Sequence, residues 1–428
     1  MAYDVVVGRD EEDKERLKDN GLILLGKTYV RMGRDVSLVN PLFVDVAKPH
    51  TILICGKKGS GKSYSIAVMA ENIADLPEDI RENLSVVILD TMGIFWTMKY
   101  ENRIDKKLLK EWGFEGKEFD IDIYTPKGYY QDFKSQGIPT DFEFGLTPNL
   151  LSIDDWCDTF NIKISSKEGS LIARVLGKLK LKKYGVEDIM YEVEEDELAD
   201  HNVKNVVNGM FSAAKNWGLF DVEAKNVSDV IKRGKINVID LSCYDNWNIK
   251  SLVVGLLSKK LLRDRVASRK KEELDKVMGR EKESKMPMVW MFIDEAHQFL
   301  GKDKKTAATD PLIALLREGR QPGISLVLAT QQPGKIHDDV ITQSDIVLCH
   351  RVTAKQDIDA LNSMMQSYME KGLSDEINNL PREKGSCVIL DDTSERIYPI
   401  RVRPRLSWHG GVSPSLFKKG KIAVSKLE

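Results

Sequence analysis

Residues 56–63 read GKKGSGKS, the spacing G-x-x-x-x-G-K-S/T. Glycines at these steps let a loop wrap closely, so that its backbone amides point at phosphate oxygens. Lys62 would reach the β- and γ-phosphates of ATP, and the Ser63 hydroxyl would hold Mg²⁺. The candidate nucleotide contacts are therefore Gly56, Gly59, Ser60, Gly61, Lys62, Ser63 and Tyr64. The alternative is a glycine turn with an exposed lysine. Context decides against it: an apolar run, TILIC, precedes the loop, and a helical stretch, YSIAVMAENIADL, follows. Strand, glycine loop and helix begin a nucleotide-binding βα unit.

A second stretch, VWMFIDEAHQF at 289–299, ends an apolar run in two adjacent carboxylates. Asp294 at the strand tip would join the Mg²⁺ shell. Glu295 would orient and deprotonate a water for attack on the γ-phosphate. Two adjacent acids also cap helices, but with a phosphate loop in the same chain the catalytic pairing is the stronger reading. His297 receives no catalytic role, and Gln298 reads as packing or solvent-facing.

A third stretch, LLREGRQPGISLVLATQQP at 315–333, holds a buried-type strand and then turns polar. Gln331 at the strand tip would face the γ-phosphate and sense it. Arg317 and Arg320 precede the strand and so lie at its other end, away from this chain's own phosphates. A cation there would serve a neighbouring subunit's ATP, as an arginine finger does. Arg320 is the favoured candidate. The competing reading is a surface ion pair, with Glu318 as the local partner.

The elements that must position these residues follow from periodicity. A short charged helix is expected over about 11–18. Short strands follow in LILLGKTYV, VSLVN and LFVDVA, making a small β element within 1–48. Apolar runs at 51–55, 84–90, 235–242, 288–294, 324–329 and 345–352 alternate with helices, one of them around 249–268. Near-continuous apolar strands between helices predict a parallel sheet covered on both faces. Two further strands are expected at 386–391 and 396–404. From about 91 the core pattern is interrupted by a polar, mostly helical stretch. The charged segment 268–285 reads as an exposed helix end and loop. The expected organisation is α/β: a RecA-like P-loop core over 49–100 and 234–411 with a mainly parallel sheet, a mostly helical insertion over 101–233, the N-terminal β element, and a tail over 412–428.

The bulk numbers fit a globular protein of 428 residues, 42% hydrophobic and 30% charged. A formal net charge of −2 argues against a histone-like or polybasic binder, so any contact with nucleic acid rests on local positive charge. Five dispersed cysteines suggest no metal knuckle and suit a reducing compartment. The acidic start shows no signal peptide, and no apolar run approaches the roughly 18 residues of a membrane span. The expected location is cytoplasmic.

Taken together, ILICGKKGSGKS, VILDTMG, FIDEAHQFL, LLREGRQPGISLVLATQQP and PIRVRPRLSWHGG resemble the HerA–FtsK superfamily of ring-forming DNA-pumping ATPases, and HerA-like proteins more than FtsK. The resemblance covers roughly 45–100 and 235–411. It implies a homohexameric ring with ATP between subunits, double-stranded DNA in the pore, and a nuclease or similar effector as partner, in DNA end processing or defence against foreign DNA. It assigns Lys62 and Ser63 to the phosphate loop, Asp294 and Glu295 to metal and water, Gln331 to sensing and Arg320 to the finger. The chain departs from the family in three places. The stretch before Thr51 is shorter than the usual N-terminal barrel. Pro49–His50 stands where a basic residue is usual. Gly93-Ile94-Phe95 replaces the acidic–aromatic step after Asp90. GKDKK at 301–305 and KLKLKK at 178–183 are the candidate DNA contacts. Two rival readings are an ATP-binding oligomeric scaffold with little DNA motion, and a secretion or conjugation motor, the latter disfavoured because no membrane segment is visible.

Overall fold

The computed structural model describes residues 3–32, 35–180, 183–223, 230–280, 286–352, 354–362 and 370–410. The expected tail over 412–428 lies outside them, as do residues 181–182 of KLKLKK and 281–285 of the charged segment.

The strands are β1 (Val5–Val7), β2 (Leu22–Met32), β3 (Asp35–Asp45), β4 (Thr51–Cys55), β5 (Leu84–Asp90), β6 (Ile121–Pro126), β7 (Phe142–Phe144), β8 (Ile236–Asp240), β9 (Met288–Ile293), β10 (Ile324–Thr330), β11 (Ile346–His350), β12 (Ser386–Asp391) and β13 (Arg396–Val402). They form one 13-stranded sheet in the order β1-β3-β2-β13-β12-β11-β4-β10-β9-β5-β8-β6-β7. From β11 to β7 every neighbouring pair is parallel. From β3 to β11 the pairs are antiparallel. The α/β class with a mainly parallel sheet is thus present.

Side chains along the central strands alternate between two cores, as a period of two requires. Leu53, Cys55, Val289, Met291 and Ile293 face one side, under the helical layer. Ile52, Ile54, Trp290 and Phe292 face the other, under the helix Lys62–Ala74. Burial on both faces is why these runs lack polar alternation.

The β2–β3 hairpin continues the core sheet through β13. Gly26 sits at an irregularity in the hairpin register. A Cβ there would lie 2.1 Å from the Arg401 carbonyl oxygen, so the close approach to β13 requires glycine.

The polar stretch after residue 91 contains two strands the sequence did not signal. β6 pairs with β8, and β7 with β6. Asp122 breaks the apolar pattern of β6, and its charge is met by Lys232 at 2.6 Å. The helices Ile153–Phe160, Lys167–Leu179, Val186–Glu194 and His201–Lys215 then pack together. Trp156 is fully buried among Phe160, Phe211 and Phe220. The helix expected around 249–268 runs longer, Trp247–Val277. Its second half is anchored by buried Arg265, which donates to the carbonyls of Pro322 and Met286. Among the described residues, no helix is long and apolar enough to cross a membrane.

Candidate nucleotide-binding site

The register of β4, β10 and β9 aligns their C-terminal ends. The loop 56–61 leaves β4 there and runs into the helix that starts at Lys62. Gly56 has φ +154°, and a Cβ on it would meet Ser60 Oγ at 2.5 Å and His350 Cβ at 2.7 Å. Gly59 and Gly61 are also left-handed, at φ +74° and +116°. Lys62 is buried, and its ammonium makes a long 3.3 Å bond to the Lys57 carbonyl across the loop. Ser60 Oγ is buried without a hydrogen-bond partner.

Asp294 follows β9 and is buried. The Ser63 hydroxyl donates to Asp294 Oδ2 at 2.5 Å, although the two residues are far apart in sequence. Asp294 Oδ1 accepts the Glu295 amide at 2.9 Å. Glu295 is held left-handed, at φ +54°. Its Oε2 is buried without a hydrogen bond and lies 3.5 Å from His297 Nδ1. Burial raises the Glu295 carboxyl above its ordinary range, helped by the charge of Asp294; Lys62, Gln331 and Lys58 act against that rise. Gln331 thus comes to the same site from the end of β10.

The donor set fits Mg²⁺. This small ion takes one or two carboxylates and keeps its other positions for phosphates and water. Ser63 Oγ and Asp294 Oδ2 already converge, and no three His, Cys, Asp or Glu side chains among the described residues form a closed metal cage.

Tyr64 is placed differently from the other loop residues. Its hydroxyl accepts the Arg405 amide at 2.6 Å, and its ring meets His409 edge-on at 5.2 Å. It anchors a C-terminal strap, residues 403–410, across the first turn of the helix. Farther along that helix, fully buried Glu71 accepts from Arg405 Nε (3.3 Å), Arg403 Nη1 (3.4 Å), and the amides of Leu406 (2.9 Å) and Ser407 (3.2 Å). Ser407 Oγ adds a 2.5 Å bond. Arg403 and Arg405, two apart near a strand end, point to one side. That spacing in RVRPR is the one sequence signal for this lock.

His350 is a second residue the motifs did not mark. It ends β11 beneath the loop, with Nε2 2.9 Å from Ser65 Oγ. Burial, reinforced by the nearby Lys62 charge, lowers its imidazole to about 4. A neutral ring therefore supports the loop without repelling Lys62.

Arg317 and Arg320 lie before β10, at the opposite edge of the sheet from the loop. Their partner is not Glu318. Arg317 pairs with Asp339 at 2.7 Å. Arg320 pairs with Asp345 at 3.1 Å and donates to the Gln343 carbonyl at 2.8 Å, while its side chain stays 45% exposed. In the two basic runs, Lys302 pairs with Asp338, Lys305 with Asp310, Lys178 with Glu192 and Lys183 with Glu223. These lysines have carboxylate partners within the chain.

Asp90 is committed away from the Ser63–Asp294 pair. Its carboxylate accepts four backbone amides, from Met92 to Phe95, and shapes the turn after β5.

The family described as "Helicase HerA, central domain" matches residues 36–261, more than half of the chain. The DNA double-strand break repair helicase HerA of Pyrococcus furiosus is 26% identical over 367 residues, 78% of this chain and 61% of that protein. The protein of the same name from Sulfolobus acidocaldarius is 22% identical over 437 residues, 96% of this chain and 75% of that one. The chain thus spans less than two thirds of the Pyrococcus relative. Among solved structures, VirB4 of Thermoanaerobacter pseudethanolicus superposes with a TM-score of 0.54 at 13% identity, covering 90% of this chain and 97% of that one. The bacterial conjugative coupling protein TrwB gives 0.51 at 14%, covering 91% and 98%. At such identities the likeness concerns the fold. The chain belongs to the HerA helicase central-domain family, a HerA-like branch of the HerA–FtsK superfamily of P-loop ATPases.

Proposed function

We propose that the chain hydrolyses ATP with Mg²⁺ in a ring of six copies, and uses the cycle to move along double-stranded DNA with a nuclease or similar effector. The observation that carries the hydrolytic part is the convergence of Ser63, Asp294, Glu295 and Gln331 at the phosphate loop. The DNA part draws on the relatives, which are described as DNA double-strand break repair helicases.

In this reading the loop amides and Lys62 hold the β- and γ-phosphates. Mg²⁺, held by Ser63 and Asp294, would neutralise charge developing on the phosphates. Glu295, desolvated and within reach of Gln331, orients the attacking water and takes its proton. The Tyr64–Arg405 bond fixes the first turn of the helix that presents Lys62 and Ser63, and the Glu71 lock fixes its third turn. Arg320, at the opposite sheet edge, supplies charge to a neighbour's ATP.

A second reading is an ATP-binding oligomeric scaffold that regulates an effector with little translocation. The engagement of Arg320 with Asp345 and Gln343 of its own chain favours it. Glu295→Gln separates them. In a hydrolytic ring it keeps ATP binding and loses turnover by at least about a hundredfold. Undiminished turnover would remove Glu295 from the mechanism.

A further inference from the structure

The N-terminal edge of the core sheet carries a row of charges of which the proposed ATP chemistry uses only the last, Arg320. Arg9, fully buried, donates to Asp45 Oδ1 through Nε at 2.8 Å and Nη2 at 2.7 Å. It also donates to the carbonyls of Lys18 and Asn20. Asp45, the last residue of β3, places Oδ2 3.1 Å from His50 Nε2. The other ring nitrogen, Nδ1, lies 2.7 Å from Asp345 Oδ2. Asp345 uses Oδ1 for the Thr51 amide at 2.8 Å and for Arg320 Nη2 at 3.1 Å. The signs alternate along Arg9, Asp45, His50, Asp345 and Arg320. Four of the five side chains are 12% exposed or less.

An imidazole with a carboxylate at each nitrogen donates twice, so both nitrogens carry a proton. The geometry therefore makes His50 a cation between two anions. His50 is also fixed sterically: a Cβ on Gly8 would come within 2.9 Å of its ring, and its amide donates to Ser325 Oγ. The Trp290 indole lies 6.3 Å away. The titratable groups facing the ring are thus Asp45 and Asp345, with Arg9 and Arg320 behind them.

We propose that His50 is a positioning residue for Arg320: through Asp345 it fixes the orientation of the arginine, and through Asp45 it ties that orientation to the N-terminal β1–β3 element. The inference rests on the reading of Arg320 as a finger acting in trans. Asp345 and the Gln343 carbonyl restrain the guanidinium through Nη2, while the side chain stays 45% exposed. Charged His50 shares Asp345 with Arg320 and weakens its hold on the arginine. Neutral His50 leaves Arg320 as the one cation on Asp345. A rearrangement of β1–β3 that moves Asp45 would act on ATP turnover by the same route.

The test measures kcat and KM for ATP across pH for full-length wild type, His50→Gln, Asp345→Asn, Arg320→Ala and His50→Gln/Arg320→Ala, with thermal unfolding as a fold control. The expected result is a kcat about tenfold lower in His50→Gln with KM unchanged, since a small misplacement of a catalytic charge costs that much or more. The double variant should be no slower than Arg320→Ala. The wild-type kcat should change as pH rises through about 9, where His50 loses its proton. In Asp345→Asn that transition should move to lower pH, a shift that a merely structural role would not produce. Wild-type turnover in Arg320→Ala would refute the finger itself. An inactive Arg320→Ala beside a His50→Gln that matches wild type at every pH would leave the finger standing and overturn the inference. The wild-type profile and Asp345→Asn decide the matter even where His50→Gln folds poorly.

Discussion

Glu71 offers the sharpest test of how the ATP site is held. Its carboxylate is wholly buried and accepts five hydrogen bonds from the strap, two of them from guanidinium groups. Burial lowers the pKa of both Arg403 and Arg405, while the Glu71 charge supports their ionised forms. Glu71→Gln preserves shape but keeps only one acceptor oxygen. Its amide group would point donors at the donors that Oε1 or Oε2 now receives, and two buried cations would lose their counter-charge. Breaking a buried pair in this way costs about 3–5 kcal/mol. Removing a surface carboxylate costs about 0–1 kcal/mol. The assay is urea unfolding of wild type, Glu71→Gln and Glu71→Ala, with nucleotide affinity measured on the folded variants. Both variants should lose about 3 kcal/mol or more. Affinity should fall as well, because the loosened strap releases Tyr64, the residue that follows Ser63. A loss below about 1 kcal/mol with intact affinity would show that the strap does not hold the helix.

Three further outcomes are expected. Lys62→Ala should lose nucleotide binding, because its buried ammonium reaches across the loop to the Lys57 carbonyl; equilibrium binding of a labelled nucleotide checks this. Inactive Arg320→Ala mixed with inactive Lys62→Ala should recover activity at shared interfaces, and no rescue in demonstrably mixed rings would count against a finger in trans. Stability should depend on pH through His50. Burial alone would lower this imidazole, but Asp345 and Asp45 lift it from 6.5 to about 9. A raised folded-state value stabilises fully below about 6.5, and the contribution fades as pH rises through about 9. The loss should be on the order of 3 kcal/mol across that window, read by denaturant unfolding, and absent in His50→Gln.

The phosphate loop, the Asp294–Glu295 pair and the central strands were legible in the sequence because each depends on local order. A glycine loop needs its glycines at fixed steps, and a strand buried on both faces needs an unbroken apolar run. β6 was not legible because Asp122 interrupts its apolar pattern and is satisfied only by Lys232, far along the chain. Glu71 looks like an ordinary helix-surface residue in AVMAENIA. Its burial comes from a strap more than three hundred residues away. Arg320 illustrates the same limit. Glu318 is its obvious neighbour in sequence, yet the turn before β10 directs the guanidinium to Asp345. Tyr64 adjoins the loop in sequence, but its hydroxyl is committed to the strap.

The most direct test of the account is steady-state ATP turnover of the full-length protein, with and without linear duplex DNA, at low and moderate salt. A ring that grips DNA phosphates should show strong stimulation by DNA that fades as salt rises. Turnover indifferent to DNA at every salt concentration would contradict a DNA motor and favour the scaffold.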